Sequence, residues 1–414
     1  MARRTVVIVG AGFGGLAAAK ALKHANVDVV LIDRTNHHLF QPLLYQVATA
    51  ALSPADIATA SRTLLRGQAN ATVLMGEVVA VDAAAKVVRC ADGKAIAYDW
   101  LILATGAAYS FFGHPEWAQE AQVLKTLDDA LDIRARLLGA FERAELSGDP
   151  AEARKLTTFV VVGAGPTGVE TAGTIAEMAR MTLRRDFRRI DPTQARVILF
   201  EAGPRVLGAF TEPLSAYAKK ALEELGVDVR TDTMVEQISD GVVQAGGEII
   251  EAGAVLWSAG VAARPAAAWL GAEAARNGAV VVGPDCAVAG VENVFAIGDV
   301  ASYAMNGAPL PGLAPVAKQQ GDWVGRLIRA RLEGRPDPVP FRYKDWGTMA
   351  VIGRSRAVAM LGGLRMTGLL AWLAWSMVHL MLLIDFRSRL IVYVNWTWAW
   401  FTKGRGARLL TRLP

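Results

Sequence analysis

Cysteine is scarce in this chain of 414 residues, which contains only Cys90 and Cys286. The two are far apart in sequence and form no Cys-x-x-Cys pair, which excludes a disulfide scaffold and a local redox pair. We interpret them as packing or loop residues in a reducing compartment. The histidines have no metal-ligand spacing, and the neighbours His37 and His38 cannot face one metal ion from a regular strand. We therefore predict no metal site.

The sequence shows no nucleic-acid-binding motif, and we expect no signal peptide. The net charge is +5 and the pI about 9.2, and without such a motif this charge favours an anionic membrane surface over nucleic acid. The apolar run Val6–Val9 is too short for a signal peptide and leads into a glycine turn, so we predict a first strand. We expect the protein in the cytoplasm or on the cytoplasmic face of a membrane.

The stretch from Val6 to Asp33 has the order strand, glycine-rich turn, helix, strand and acid. The turn reads Gly10-Ala11-Gly12-Phe13-Gly14-Gly15. In this context Gly10 permits a tight turn, Gly12 allows a pyrophosphate to approach the backbone, and Gly15 lets the helix pack close to the strand. Asp33 can accept hydrogen bonds from a ribose. These features predict a dinucleotide site.

The same pattern occurs a second time. The strand Thr158–Val162 precedes Gly163-Ala164-Gly165-Pro166-Thr167-Gly168, and the strand Arg196–Phe200 ends at Glu201. Two dinucleotide folds in one chain predict two nucleotides held face to face, with hydride transfer between them. A carboxylate at Glu201 repels a 2′-phosphate and favours NADH over NADPH, an effect that the nearby Arg205 weakens.

A basic insertion, residues 178–195, separates the second glycine turn from its acid. It carries several arginines: Arg180, Arg184, Arg185, Arg188 and Arg189. Two interpretations remain open, a solvated face and a patch that contacts a membrane or a partner.

Three other segments are candidates for the site. Ala104-Thr105-Gly106 ends a buried strand, and the strand Val294–Ile297 delivers Asp299, which could bind the ribityl chain of a flavin. The segment 34–49 mixes polar and aromatic residues without periodicity. We predict a loop there, which either caps the fold or lines a cofactor.

Together these motifs resemble the flavoproteins with two dinucleotide-binding domains, a superfamily that includes glutathione reductase-like enzymes. Narrower features resemble the type II NADH:quinone oxidoreductases, the non-pumping NADH dehydrogenases. These are the loop Phe40–Thr49, Gly168-Val169-Glu170, the stretch Leu313–Gly321 and a Trp-rich basic tail. The resemblance spans essentially the whole chain. It implies an α/β fold of two Rossmann-like domains and a C-terminal amphipathic helical membrane-attachment region.

The resemblance also implies roles for individual residues. Those expected to hold FAD are Gly10, Gly12, Gly15, Asp33, Thr105 and Asp299, and those expected to hold NADH are Gly163, Gly165, Gly168 and Glu201. Further cofactor-binding residues are Gly14, Arg34, Gln41, Ala104, Gly106, Gly298 and Ala317. The implied catalytic residues are Glu170, near nicotinamide and flavin, and Gln319 and Gln320, where quinone docks. Pro315 departs from the family motif, because it replaces a glutamine and cannot make that residue's hydrogen bond.

The lack of a cysteine pair beside the flavin excludes disulfide reduction and sulfide oxidation within this superfamily. Electrons must then leave the flavin for a quinone, oxygen or a small redox protein. We predict hydride transfer from NADH to FAD and two-electron reduction of a membrane quinone, without proton pumping. Glu170 would serve in proton transfer or nicotinamide placement; alternatively it is a helix-start carboxylate stabilised by the dipole. Rival functions are an NADH-dependent ferredoxin or rubredoxin reductase and a flavin-bearing redox sensor or scaffold.

The tail beyond Arg365 is apolar, aromatic and basic. Met366–Ile384 is marginally long enough to span a bilayer, but Trp372, Trp375 and His379 lie within it and recur on one helical face. Basic residues follow a second Trp-rich stretch, which favours attachment in the plane of an anionic membrane. A true span and a dimer or core helix are the alternatives.

From these patterns we predict four segments. They are 1–120 and 271–340 for the two parts of a FAD domain, 121–270 for an NADH domain and 341–414 for membrane association. The expected partners are a membrane quinone, an anionic lipid bilayer surface and a second copy in a homodimer. The expected location is the cytoplasmic face of the cell membrane, peripherally bound.

Overall fold

The computed structural model describes residues 3–402, 404 and 406–410. The strands are β1 Thr5–Val9, β2 Asp28–Asp33, β3 His37–Leu39, β4 Ala58–Ala60, β5 Ala71–Met75, β6 Val78–Asp82, β7 Val87–Cys90, β8 Ala95–Ala97, β9 Trp100–Leu103, β10 Ala107–Tyr109, β11 Gln122–Val123, β12 Thr158–Val162, β13 Arg196–Phe200, β14 Val227–Arg230, β15 Val235–Ser239, β16 Val242–Ala245, β17 Glu248–Glu251, β18 Ala254–Trp257, β19 Val261–Ala263, β20 Val280–Val281, β21 Val294–Ala296, β22 Ala301–Ser302, β23 Ala304–Met305, β24 Ala308–Pro309, β25 Thr348–Gly353, β26 Arg356–Leu361 and β27 Leu364–Thr367. The helices are α1 Phe13–Ala21, α2 Leu44–Ala48, α3 Pro54–Ile57, α4 Ser61–Leu65, α5 Leu127–Ser147, α6 Pro150–Leu156, α7 Pro166–Glu177, α8 Glu212–Glu224, α9 Ala266–Leu270, α10 Ala314–Leu332, α11 Gly368–Leu382 and α12 Phe386–Thr402.

The chain forms two compact units, each made of three segments. The first unit contains Met1–Leu39, Ala58–Ala108 and Val261–Asp345. The second contains Phe40–Ile57, Tyr109–Gly260 and Trp346–Pro414.

The first unit is built on a parallel sheet with the strand order β21-β9-β1-β2-β5. Its central strands are apolar and buried on both faces, as expected when helices cover both sides. Helices α1 and α10 pack closely because Gly321 and Gly325 remove side chains from their contact; a Cβ on Gly321 would overlap the carbonyl of Gly14. Because α1 follows the end of β1 directly, its N-terminus lies at the carboxyl edge of the sheet.

The second unit repeats this design with the parallel order β11-β18-β12-β13-β14. Strand β12 is buried at every position and leads into α7 through the second glycine turn. Helix α5 begins at a capping box, in which Thr126 and Asp129 exchange side-chain and backbone hydrogen bonds.

The segment 34–49 is more ordered than the predicted loop. Residues His37–Leu39 form a strand, Gln41–Leu43 a 3-10 turn and Leu44–Ala48 the helix α2. The prediction of a loop was wrong here because the helix is short and buried at all five positions, so it shows no amphipathic period.

The C-terminal part of the second unit contains a sheet that the sequence patterns did not predict. Strands β25, β26 and β27 form an antiparallel sheet that packs against α7 and α8. Two helices follow, and α11 begins at Gly368 and ends at Leu382, inside the predicted run from Met366 to Ile384. Among the described residues, no helix is both long enough and apolar enough to cross a membrane.

Candidate functional site

The first glycine turn connects β1 to α1. Gly10 has a φ of +105°, and a Cβ there would overlap the carbonyl of Ala104. A Cβ on Gly15 would overlap the carbonyl of Gly10, so both positions require glycine. Nothing lies within 4 Å of the Cβ position of Gly12, which leaves the N-terminus of α1 open to an anion.

Asp33 ends β2 beside this turn. Its Oδ2 accepts a hydrogen bond from the Ala11 N–H at 2.6 Å, and its Oδ1 accepts from the Thr35 N–H and hydroxyl, both at 2.7 Å. The carboxylate is therefore held in place, and Oδ2 retains a lone pair for a ribose hydroxyl.

The segment Ala104-Thr105-Gly106 follows β9, the neighbour of β1. Gly106 has a φ of +70° with nothing within 4 Å of its Cβ position. The Thr105 Oγ1 is buried and has no hydrogen-bond partner among the described residues. A buried hydroxyl without a partner is costly, and a polar cofactor at this edge would satisfy it.

His38 belongs to the same region, although the sequence patterns did not single it out. The ring Nδ1 contacts the Ala11 carbonyl at 2.9 Å, and the buried Nε2 has no partner within the described chain. Burial lowers the pKa of this imidazole, which favours its neutral form. The fold places His38 beside the first glycine turn. Its local sequence gives no sign of this position.

Gly298, Asp299, Ala317 and Gln320 meet where the strand β21 ends and α10 begins. The Gln320 Oε1 accepts the Gly298 N–H at 2.7 Å, and a Cβ on Gly298 would lie 3.0 Å from the Ala317 Cβ. Gln320 is buried, so its amide supports the loop that presents Asp299.

Gln319 points to a different neighbour. Its Nε2 donates to the Lys344 carbonyl at 2.9 Å, and its Oε1 accepts the Lys344 N–H at 2.9 Å. Both ends of the amide are thus engaged by main chain. Pro315 lies in the first turn of α10, where a missing N–H costs nothing.

Arg34 is exposed in the first unit. The pKa of the Arg264 guanidinium is lowered by burial and, to a smaller extent, by the charge of Arg34. Two cations close to Asp33 suit an anionic ligand.

The second glycine turn repeats the first. Gly163 has a φ of +95°, and its Cβ position lies 2.8 Å from the Ala259 nitrogen. A Cβ on Gly168 would overlap the Gly163 carbonyl, whereas Gly165 has nothing within 4 Å. The Glu201 Oε2 accepts the Ala164 N–H at 2.7 Å, as Asp33 does for Ala11.

Glu170 lies one turn inside α7 and is buried. Burial raises the pKa of its carboxyl to about 8, and a 3.3 Å hydrogen bond from the Val351 N–H opposes this only weakly. The carboxyl is buried because β25 packs against α7 at this position. A pKa of about 8 favours the protonated form at neutral pH.

A pocket of the second unit opens onto Glu170. Its lining includes Gln41, Tyr45, Tyr109, Lys125 and Thr167. The Gln41 Nε2 donates to the Lys125 carbonyl at 3.0 Å, and the Lys125 ammonium lies 5.8 Å from the Tyr109 ring centroid. Gln41 thus belongs with Glu170 in the second unit, while the residues around Gly10 belong to the first.

The residues of the first unit fit a flavin dinucleotide. Two glycines permit close backbone approach, Asp33 offers an acceptor, and the Thr105 hydroxyl lacks a partner within the described chain. The second unit offers the same turn and acid for a second nucleotide.

Comparison with known proteins gives a consistent result. The family model for pyridine nucleotide-disulphide oxidoreductases matches residues 4–321, and the model for the NDH2 C-terminal domain matches residues 346–405. The type II NADH:quinone oxidoreductase NdhA of Mycobacterium tuberculosis is 45% identical, over 99% of this chain and 90% of the relative. The internal alternative NAD(P)H-ubiquinone oxidoreductase A1 of Arabidopsis thaliana is 29% identical, over 94% of this chain and 83% of the relative.

Solved structures agree on the fold. The NDH2 of Plasmodium falciparum, solved in complex with NADH, has a TM-score of 0.89 at 20% identity, covering 99% of this chain and 100% of that one. The sulfide:quinone oxidoreductase of Aquifex aeolicus has a TM-score of 0.71 at 20% identity, covering 97% and 96%. With two family models and a relative at 45% identity over nearly its whole length, this chain belongs to the type II NADH:quinone oxidoreductases.

Proposed function

We propose that this chain oxidises NADH and reduces a membrane quinone, using FAD and pumping no protons. The observation that carries the proposal is the repeated turn-and-acid site, at Gly10 with Asp33 and at Gly163 with Glu201, in a member of this family. When bound, FAD supplies the acceptor for hydride from NADH and the donor of two electrons to quinone.

The first unit would bind FAD. The N-terminus of α1 would hold the pyrophosphate, Asp33 would accept a hydrogen bond from the ribose and the Thr105 hydroxyl would gain a partner. The proposed set is completed by Gly14, Arg34, Ala104, Gly106, Gly298, Asp299 and Ala317. The predicted FAD segments, 1–120 and 271–340, overlap this unit except for residues 40–57 and 109–120, which belong to the second unit.

The second unit would bind NADH, within the proposed segment 121–270. Gly165 leaves the backbone open to the pyrophosphate, and Glu201 would accept from the ribose hydroxyls. A carboxylate in that position repels the 2′-phosphate of NADPH, which supports a preference for NADH.

Glu170 is the proposed proton-carrying residue. Quinone reduction consumes two protons, and a carboxyl with a pKa of about 8 can hold one at neutral pH and release it. Its pocket also contains Gln41, which would orient a ring there. We assign Gln319 and Gln320 to the quinone site as positioning residues, because main-chain groups already engage their amides.

The C-terminal helices would attach the protein to the membrane. Helix α11 buries Trp375 against the rest of the second unit, and apolar side chains on its other side are exposed. Across α11 and α12 these exposed side chains are Leu369, Leu370, Leu373, Met377, Met381, Leu382, Phe386, Leu390, Tyr393, Val394, Trp398, Trp400 and Phe401. An apolar surface of this extent with cations nearby suits the interface of an anionic bilayer. We propose peripheral attachment on the cytoplasmic face.

A second copy of the chain is the other proposed partner. The same apolar surface would support a homodimer if part of it remained outside the bilayer. Light scattering in mild detergent distinguishes a monomer from a dimer.

Anaerobic stopped-flow spectroscopy on detergent-purified protein tests the proposed function. NADH should bleach the flavin absorbance, and a short-chain quinone should then restore it. Bleaching without recovery by quinone would move the acceptor to a redox protein or oxygen. Absence of bleaching would contradict the nucleotide assignments.

A further inference from the structure

The basic insertion, residues 178–195, forms a defined loop at the surface of the second unit. A helical turn, Met178–Thr182, continues α7, and the chain then bends through exposed positions. The Glu145 carboxylate accepts the backbone N–H groups of Arg188, Arg189 and Ile190 at 2.9–3.1 Å. These hydrogen bonds hold the loop backbone, along which Arg184, Arg185 and Arg189 are exposed.

One residue joins the start of this insertion to the end of α12. The Arg354 N–H donates to Glu177, immediately before the insertion. The guanidinium of Arg354 donates to the carbonyls of Ala399 at 2.7 Å and Trp400 at 3.0 Å. The insertion therefore begins beside the exposed aromatic end of α12.

The segment beyond α12 makes a second connection. Arg408 forms an ion pair with Asp186 in the middle of the insertion. The Ala407 carbonyl accepts a 3.3 Å hydrogen bond from Arg134 on α5. Ala407 and Arg408 thus lie against α5 and the basic loop.

The insertion and the segment after α12 combine exposed positive charge with exposed apolar side chains. Among the described residues, the guanidinium groups of Arg184, Arg185 and Arg189 make no ion pair within 4 Å, and all three residues are exposed. Two apolar side chains are exposed near these arginines. Met181, in the insertion, is 40% exposed, and Leu409, in the segment after α12, is 77% exposed. Cations interleaved with apolar groups are typical of a surface that lies among lipid headgroups.

We propose that the insertion is a second lipid-contacting element, in which Arg184, Arg185 and Arg189 bind the phosphates of an anionic phospholipid bilayer. Its occupant is the bilayer reached by α11 and α12, so this inference rests on the proposed membrane attachment. Guanidinium groups suit phosphate because they donate paired hydrogen bonds and keep their charge. Arg188 has a different role, since its side chain donates to the carbonyls of Arg185 and Phe187 within the loop.

Vesicle flotation with the full chain tests the proposal. The vesicles contain either phosphatidylcholine alone or phosphatidylcholine mixed with phosphatidylglycerol. The variant is R184Q/R185Q/R189Q, and the control is K23Q/R66Q/R276Q, which removes the same three charges from exposed positions of the first unit. Retained FAD and unchanged bleaching by NADH show that each variant is folded.

The insertion variant should partition roughly 10- to 100-fold more weakly onto the anionic vesicles, and this difference should shrink at high salt. Its partition onto neutral vesicles should match that of the wild type, and the control should remain close to the wild type on both. Equal losses for variant and control would overturn the proposal, because net charge alone would then act. Unchanged partition of the insertion variant would also overturn it.

Failure of the wild type to float with any vesicle would overturn both this proposal and the attachment through α11 and α12. If the wild type floats normally and the insertion variant floats equally well, only the proposed role of the insertion is overturned. A loss seen only with native membranes, and not with lipid vesicles, would identify a protein partner in place of lipid.

Discussion

Glu170 shows how one buried carboxyl can link stability and chemistry. The side chain lies in α7 under the strand β25, and burial raises its pKa to about 8. An unfolded chain would lose this proton near pH 4.3. Between these values the folded protein binds one more proton than the unfolded chain, so the free energy of unfolding falls as pH rises.

We expect Glu170→Gln to remove this dependence. Relative to the wild type, the variant should gain stability as pH rises toward about 8, by up to about 1.4 kcal/mol per pH unit, and the gain should level off above that. Thermal unfolding of the variant and the wild type at pH values below and above 8 measures this difference in stability. Glu223→Gln, at an exposed position of α8, is the control and should follow the wild type.

The same variant should slow quinone reduction, by a factor on the order of 10², because an amide cannot release a proton. FAD should stay bound. Parallel stability profiles for wild type and Glu170→Gln, or unchanged pre-steady-state rates, would contradict the assignment.

At the scale of elements, the contact between α7 and β25 places Val351 against Glu170. Gly173 makes this contact possible, because a Cβ there would overlap the Ile352 carbonyl. The helix and strand thus approach at backbone distance, which buries the carboxyl and raises its pKa.

Gly173→Ala should therefore destabilise the second unit by about 1–3 kcal/mol, although alanine favours a helix, because backbone must move to accept the methyl group. Differential scanning calorimetry measures the change. Gly67→Ala, where nothing lies within 4 Å of the Cβ position, is the control and should shift the unfolding midpoint little. Equal effects of the two substitutions would show that the contact is not tight.

The elements also differ in how well local sequence predicted them. The strands at Val6 and Thr158 and their glycine turns were predicted, since apolar strands followed by a glycine-rich turn are a strong local signal. The sheet β25–β27 was not, because no such turn marks its strands and their position depends on packing against α7 and α8.

For the whole molecule, the distribution of exposed apolar surface is the main feature. The largest run of exposed apolar side chains falls on α11 and α12, in a chain with net charge +5. High salt alone should not release the protein from a membrane, because salt screens the attraction between cations and lipid but leaves the apolar contact intact.

We expect L370N/M377N/M381N to weaken partition onto vesicles at least roughly 100-fold, because three exposed apolar side chains on one face of α11 would no longer enter the bilayer. Activity with a water-soluble quinone should be kept. Vesicle flotation and NADH oxidation measure the two effects. M75N/M234N/I249N changes equally exposed apolar residues elsewhere and is the control. Equal loss in both variants would place the attachment elsewhere.

The sequence alone determined the two glycine turns with their acids, the helix after each turn and the apolar, basic tail. These depend on local geometry, such as the need for glycine at Gly10 and Gly163, and on periodicity along the chain. Tertiary structure alone decided the burial and protonation of Glu170, the position of His38 beside Ala11 and the engagement of Gln319 by Lys344. It also decided that the basic insertion lies beside the end of α12. These depend on contacts between residues far apart in sequence, which packing creates and no local pattern encodes.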